Sequence, residues 1–290
     1  MQDVSGKTAF ITGGASGIGL AMAEAFGAAG MNVMLADIEQ AALDAAVVHL
    51  EERQIRAAGV LCDVSVREAV ENAAKETIAK FGKVHVVCNN AGVGAGGPVG
   101  EVPAADWDWT LEVNLMGVIY GVDAFLPHIR AHGEGGYIVN TASMAGMISP
   151  PGMEPYCASK FAVVALSEGW NAQLAPENIG VGVLCPGFVK TNIDKSRRNR
   201  PDRFGGAETG DNLIASDFVQ NGIDPARVGK RVLEALLGNE LYIFTHPGMR
   251  VAVQDRFSRI MKGFDAADAS PALQGLEEPA FPVEGMAPRG

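Results

Sequence analysis

The sequence predicts an α/β protein: a doubly wound parallel sheet of about seven strands with helices on both faces. Three observations predict it. Apolar runs of strand length alternate with stretches of helical periodicity, almost without a break, which is the pattern of parallel strands joined by helical crossovers. The strand runs are apolar throughout rather than alternating, as expected where neither face of a sheet meets water. The first run passes at once into a glycine-rich turn and a helix.

Thr8–Thr12 reads as the first strand and Gly19–Ala29 as the helix after the glycines. Asn32–Ala36 is the second strand, with a helix over Gln40–Arg53. Ile55–Cys62, Val84–Asn89, Tyr137–Thr141 and Val181–Cys185 are further strands. Between them helices are expected over Val66–Phe81, Trp107–Ala131 and Tyr156–Leu174. A helix near Pro225–Leu237 and a short strand, Leu241–Phe244, follow. No repeat and no linker divides the chain, so one domain is expected over residues 1–265. Within it Lys195–Asn221 is charged, glycine-containing and weakly periodic, and its place after the sixth strand makes Val189–Asn221 a candidate lid. Residues 266–290, rich in Pro, Ala, Gly and acid, read as an extended tail.

The 290 residues carry 23 basic and 34 acidic side chains, a net charge of −11. That balance argues against a nucleic-acid or anionic-membrane partner. The densest cationic stretch, Arg197-Arg198-Asn199-Arg200, is short. No apolar segment approaches the ~20 residues that span a bilayer, and the first residues do not resemble a secretory signal. Cys62, Cys88, Cys157 and Cys185 lie in or beside apolar runs, so buried free thiols and a cytoplasmic location are expected. The five histidines show no ligand spacing, and no metal site is expected.

Thr12-Gly13-Gly14-Ala15-Ser16-Gly17-Ile18-Gly19 lies between the first strand and its helix. Glycines let the backbone turn sharply and approach a pyrophosphate, and the helix N-terminus offers unpaired amides. This is the setting of a Rossmann-type dinucleotide site, with spacing G-x-x-x-G-x-G (Gly13, Gly17, Gly19). Asp37, 18 residues beyond Gly19, ends the second strand, where a carboxylate accepts the adenosine ribose hydroxyls and repels a 2′-phosphate. Ala15, Ser16 and Ile38 offer no cation to offset that repulsion, so NAD is read over NADP. Cys62-Asp63-Val64 and Asn89-Asn90-Ala91-Gly92 end the third and fourth strands. Asp63 suits the adenine amino group and the asparagine turn suits the adenosine cleft. Ordinary strand-end turns look the same; their shared place at carboxyl ends favours the ligand crevice.

With these motifs followed in order by Asn114, Ser143, Tyr156-x-x-x-Lys160, and Pro186-Gly187 with Thr191, the chain resembles the short-chain dehydrogenase/reductase family, in its single-domain Tyr-x-x-x-Lys branch. The resemblance is dense over residues 5–190 and looser over 220–245. It implies an oxidoreductase that interconverts a secondary alcohol and a ketone, with Tyr156 as acid/base. Tyr156 and Lys160 are one helical turn apart on one face, and an ammonium there is expected to lower a phenol pKa of about 10. By resemblance Lys160 also holds the nicotinamide ribose, Ser143 bonds the substrate oxygen, and Asn114 anchors a relay water. Pro186, Gly187, Val189 and Thr191 then contact the nicotinamide. Taken singly, Ser143 also fits a loop cap, Asn114 a helix bend and Tyr156 a core position.

The lid is longer than in minimal members of the family and carries Phe188, Ile193, Phe204, Leu213, Ile214 and Phe218. With Met144, Met147 and Met153 these predict an apolar, adaptable substrate pocket, with Ser143, Met144, Met153, Tyr156 and Phe188 touching substrate. A bulky apolar or aromatic alcohol or ketone is expected. Thr191-Asn192-Ile193, Arg200-Pro201 and Leu241 to Pro247 are similar to the bacterial branch that includes Cα-dehydrogenases of lignin-derived aryl ethers. Steroid or terpenoid alcohols are the alternative. A non-catalytic NAD-sensing protein is the alternative of another class, and it usually lacks the tyrosine or lysine. The helix beginning at Tyr156 continues apolar nearly all round, so a homodimer or homotetramer is expected.

Overall fold

A computed structural model describes residues 3–209 and 216–277. Seven parallel strands form one sheet in the order β3-β2-β1-β4-β5-β6-β7. They are β1 (Thr8–Thr12), β2 (Asn32–Asp37), β3 (Ala57–Leu61), β4 (Val86–Asn89), β5 (Gly136–Thr141), β6 (Ile179–Cys185) and β7 (Tyr242–Phe244). Every residue of β1, β4, β5 and β6 is buried, which accounts for their uninterrupted apolar runs. The strand order reverses at β1, flanked by β2 on one side and β4 on the other. Crossovers from β1 and β4 therefore leave in opposite directions, and a crevice opens at the carboxyl ends between them.

Helices cover both faces. On one face α1 (Gly17–Ala28), α2 (Gln40–Glu51) and α8 (Pro225–Gly238) bury Met22, Phe26, Leu43, Leu50, Val228 and Leu236 against β1, β2 and β6. On the other, α3 (Arg67–Phe81), α4 (Ala104–Leu111) and α5 (Gly117–His132) bury Val70, Trp109, Phe125 and Ile129 with Phe10 and Val87. A third cluster packs α6 (Glu154–Leu174) through Val163 and Val164 on Val183 and Cys185 of β6. Local signals set the ends: α8 begins with Pro225, and its cap residue Asp224 accepts from Ala226 N at 2.8 Å.

The structure departs from the sequence expectation in four places. The single helix expected over Trp107–Ala131 is α4 and α5 joined by one π turn, Glu112–Met116. A π turn adds one residue within a continuous helix without breaking it, and no residue type marks where the extra residue falls. A further helix, α9 (Arg250–Asp268), fills a stretch with no assignment, because its apolar residues are diluted among charges and none is buried. Residues 266–268 of the expected tail thus belong to α9; Pro271–Leu273 form a short turn and 278–290 lie outside the described residues. The lid holds two 3-10 turns, Ile193–Asn199 and Asp202–Phe204, and the short α7 (Ser216–Gln220), while Leu213 and Ile214 lie outside the described residues.

Candidate active site

The cleft starts where Thr12 ties β1 to β4. Its hydroxyl accepts from the backbone N–H of Asn90 at 2.9 Å and of Ala91 at 3.0 Å. The Asn90 amide then donates to Thr12 O at 3.0 Å and accepts from Thr141 on β5 at 3.2 Å. Three strand ends are thereby pinned as one floor. The glycine turn lies above it, with Gly13 and Gly17 at φ of +60° and +53°, a region that favours glycine. A Cβ on Gly19 would sit 2.0 Å from Gly13 O. Gly19 therefore lets α1 approach its own turn. It is the one predicted cofactor residue that does not line the cleft; Gly13, Ser16, Gly17 and Ile18 do. Ser16 caps α1 without a side-chain bond, and no acidic residue stands in the first turn, so the helix N-terminus faces the cleft uncompensated.

Asp37, Ile38, Cys62, Asp63 and Val64 line one end of the cleft. The Asp37 carboxylate accepts from Ala15 N at 3.0 Å and Glu39 N at 3.1 Å, which fixes the glycine turn to the end of β2. Asp63 accepts from Ser65 N at 3.0 Å and from Arg203 of the lid at 3.0 Å.

Asn90, Ala91, Gly92, Ser143, Met144, Met153, Tyr156 and Lys160 line the other end, with Pro186, Gly187, Phe188, Val189 and Thr191. The Lys160 ammonium donates to Thr141 O at 2.8 Å and lies 5.5 Å from the centre of the Tyr156 ring. Burial pulls its pKa down to about 8. Burial pushes the Tyr156 phenol up to about 12, and the hydrogen bond to Ser143 only partly opposes this. The expected lowering of the phenol pKa by Lys160 is therefore not what the protein frame imposes. Loss of water dominates both shifts, and the amine turns its proton to a backbone carbonyl rather than to the phenol.

Asn114 stands behind the wall, fully buried in the π turn. Its side chain accepts from Val93 N at 2.8 Å and donates to Val93 O at 2.9 Å and Ser159 Oγ at 3.2 Å. Ser159 in turn donates to Tyr156 O at 2.7 Å. Both ends of the Asn114 amide are thus committed to positioning the Val93 loop and α6. A Cβ on Gly92 would lie 3.4 Å from both Asn114 Oδ1 and Lys160 Nζ, so the two converge on that glycine. Sequence reasoning missed Ser159 and Thr141. Ser159 is next to Lys160 and had a signal; the carbonyl of Thr141 had none.

At the substrate end Ile148, Pro150, Ile193, Val219 and Met249 add apolar wall. Phe188 stacks on Phe218 with centroids 5.1 Å apart. Three of the predicted pocket residues do not line the cleft: Met147 packs under α6, Phe204 packs into the core beside Trp109 because the 3-10 turn at Asp202–Phe204 folds its ring inward, and Phe218 stays largely exposed on the outer side of Phe188. The five substrate-contact residues of the sequence reading all face the cleft.

Among the described residues one cluster has metal-like proximity, His85, His132 and Glu134, which sequence spacing did not reveal. It lies at the opposite ends of the strands. His85 bonds Thr8 N at 3.2 Å and Glu134 at 3.0 Å, and His132 bonds Val84 O at 2.7 Å and Glu134 N at 3.1 Å. All four ring nitrogens have protein partners. No helix among the described residues is long and apolar enough to cross a membrane.

A glycine turn at the switch point of a parallel sheet, facing Ser143, Tyr156 and Lys160 across one cleft, defines an oxidoreductase architecture. The profile of the short chain dehydrogenase family matches residues 7–202. A C alpha-dehydrogenase of Sphingobium sp. strain SYK-6 is 36% identical over 276 residues, covering 93% of this chain and 90% of that protein. The 3beta-hydroxysteroid dehydrogenase 2 of Eggerthella lenta is 37% identical over 201 residues, 69% of this chain and 77% of that one. A short chain dehydrogenase/reductase of Burkholderia phymatum, solved in complex with NAD, matches with a TM-score of 0.85 at 36% identity, covering 97% of this chain and 100% of that one. The chain belongs to the short chain dehydrogenase family and is an oxidoreductase of that family.

Proposed function

We propose that the protein is an NAD-dependent oxidoreductase interconverting a bulky, apolar or aromatic secondary alcohol and its ketone. The observation that carries the reading is one cleft with a carboxylate at its dinucleotide end and Ser143, Tyr156 and Lys160 beside an apolar wall at the other. The residues present fit a dinucleotide: the glycine cradle has no room for a Cβ at Gly19, and the α1 amides face the place of a pyrophosphate. Asp37 and the absence of a cation at Ala15, Ser16 and Ile38 favour NAD over its 2′-phosphorylated form. Arg198 is the cation that lines this end, and Glu39 already holds it.

When bound, the nicotinamide supplies the hydride acceptor and donor. Ser143 positions the substrate oxygen against the Tyr156 hydroxyl. In the oxidation direction Tyr156, as the phenolate, takes the proton from the alcohol; in reduction the phenol gives it back. Lys160, held by Thr141, offers its charge to the ribose and to the developing phenolate. Asn114 and Ser159 fix the turn of α6 that carries both groups. The catalytic unit so proposed extends to the end of α9 at Asp268, with a lid over 189–221.

An aryl alcohol is the first reading, resting on the apolar wall and on the resemblance to the branch that includes Cα-dehydrogenases, and the 3beta-hydroxysteroid dehydrogenase relative supports a steroid alcohol as the second. On the outer side of α6, Phe161, Ala162 and Leu166 are only partly covered, which supports a homodimer or homotetramer. Four buried, unpaired cysteines support a cytoplasmic location. The test is NADH formation at 340 nm from NAD over aryl, steroid, terpenoid and short aliphatic alcohols. Turnover of one bulky class, at least tenfold above its rate with NADP, is the expected result. Tight NADH binding with no turnover of any class would favour a sensing role instead.

A further inference from the structure

The cationic run Arg197–Arg200 plays no part in the chemistry above, yet every one of its side chains has a partner. Arg197 and Arg200 turn inward and both grip the buried Asp106 of α4, at 2.7 and 2.8 Å, with Glu208 as their second partner. Arg198 and Asn199 turn the other way, to Glu39 just beyond β2. Arg198 Nη2 lies 2.5 Å from one Glu39 oxygen and its Nε 3.3 Å from the other, while Asn199 donates at 2.8 Å. Farther along, Arg203 donates to Asp63 at 3.0 Å and to Ser65 at 2.5 Å, just beyond β3.

Glu39 and Asp63 flank the end of the cleft that suits adenosine, and Asp37, Ile38 and Val64 form its floor. The lid leaves β6 at the nicotinamide end, so residues 193–203 cross the whole mouth to reach those two carboxylates. Arg198, Asn199 and Pro201 line the same cleft as Asp37. The lid thus has a fixed root on Asp106 and a releasable tip. Burial works against the Glu39 carboxylate, but hydrogen bonds from Arg198 and Asn199 hold it ionised below its usual range. The tip pairs are about one-third exposed at Arg198 and Glu39, and nearly half exposed at Arg203. Exposed pairs of this kind are individually weak and screened by salt, so they open readily.

We propose that Arg198 and Arg203 are cofactor-positioning residues: by engaging Glu39 and Asp63 they roof the adenosine half of the dinucleotide, and their opening limits its release. This rests on the dinucleotide reading of the cleft. The lid so described acts on the half of the cofactor farthest from the chemistry, in addition to covering substrate.

The experiment is stopped-flow release of NADH from the full chain. It compares wild type with Arg198→Gln, Arg203→Gln, the double variant and Glu39→Gln. ADP-ribose and reduced nicotinamide mononucleotide are run as half-ligands. The double variant should release NADH and ADP-ribose roughly five- to tenfold faster, the sum of two weak pairs. Binding of the mononucleotide should be unchanged. Wild-type release should quicken with salt, and the double variant should have lost that dependence. Glu39→Gln should reproduce the effect of Arg198→Gln. NADH release within twofold of wild type, or equal acceleration of the mononucleotide, overturns the proposal. Failure of the wild type to bind either NADH or NADPH removes the dinucleotide reading and the roof with it. NADH binding that the variants leave unchanged removes the roof alone.

Discussion

The two ends of the cleft are built from different materials. At the β1–β3 end the work is done by backbone: positive-φ glycines, free amides of α1 and two carboxylates that brace turns. At the β4–β6 end it is done by side chains sunk in the wall, where Asn114, Ser159 and Lys160 are buried and joined by hydrogen bonds to one another or to strand ends. A ligand that is the same in every turnover can be held by fixed geometry. A proton that must come and go needs groups whose pKa values the protein can move, and burial is the means used here.

The comparison breaks most clearly at Tyr156. Tyr156→Phe should lower kcat by roughly 10²- to 10⁴-fold while NADH affinity stays within a few-fold, because only the proton transfer is lost. A comparable loss in NADH affinity, by fluorescence titration, would mean the two ends are not separable. The next effect is on stability. Lys160 has a folded pKa of about 8 against 10.5 free, so between these values the unfolded chain binds more protons and stability rises with pH. The penalty is fully present below pH 8 and is relieved towards pH 10.5, about 3 kcal/mol in all. The Tyr156 phenol, raised from 10 to about 12, works in the opposite sense above pH 10. Buried thiols raised from 9, Cys62 and Cys185 among them, do so above pH 9. Urea unfolding of wild type and Lys160→Met from pH 7 to 10 should therefore give curves that diverge above pH 8, with only the wild type gaining from this group. Parallel curves would show that burial does not lower the Lys160 pKa in the fold. The smallest effect belongs to the backbone end. Gly19→Ala places a carbon 2.0 Å from Gly13 O and should cost about 1–3 kcal/mol of stability. NADH binding should fall at least as far, on the order of tenfold. Retained binding in a destabilised variant would show that the glycine serves packing alone.

What the sequence made legible follows the same division. The glycine turn, Asp37, and the four-residue interval from Tyr156 to Lys160 are local patterns, and the structure sets their side chains or backbone at one cleft. The sheet was legible because each strand is buried on both faces and so carries an unbroken apolar run. Contacts between distant residues were not. Arg197 reaches back 91 positions to Asp106, and Arg198 159 positions to Glu39, and in both cases only the fold makes the pairing visible. The direction of the pKa shifts was hidden too, because spacing puts an amine near a phenol but says nothing about how much water either keeps. The α9 helix escaped because its apolar residues Phe257, Met261 and Phe264 remain more than half exposed, without the buried face that periodicity detects.

The π turn at Glu112–Met116 has a consequence for register along the helix it interrupts. One additional residue rotates everything after it by about 100° relative to an unbroken α-helix. Ahead of it, Asp106 and Trp109 face the root of the lid; behind it, Val122, Phe125 and Ile129 face α3 and the sheet. Removing a single residue from the turn would put the second half out of phase with its neighbours, while swapping side chains there would not. This stretch should therefore accept substitutions on its outer side far more readily than a change in length.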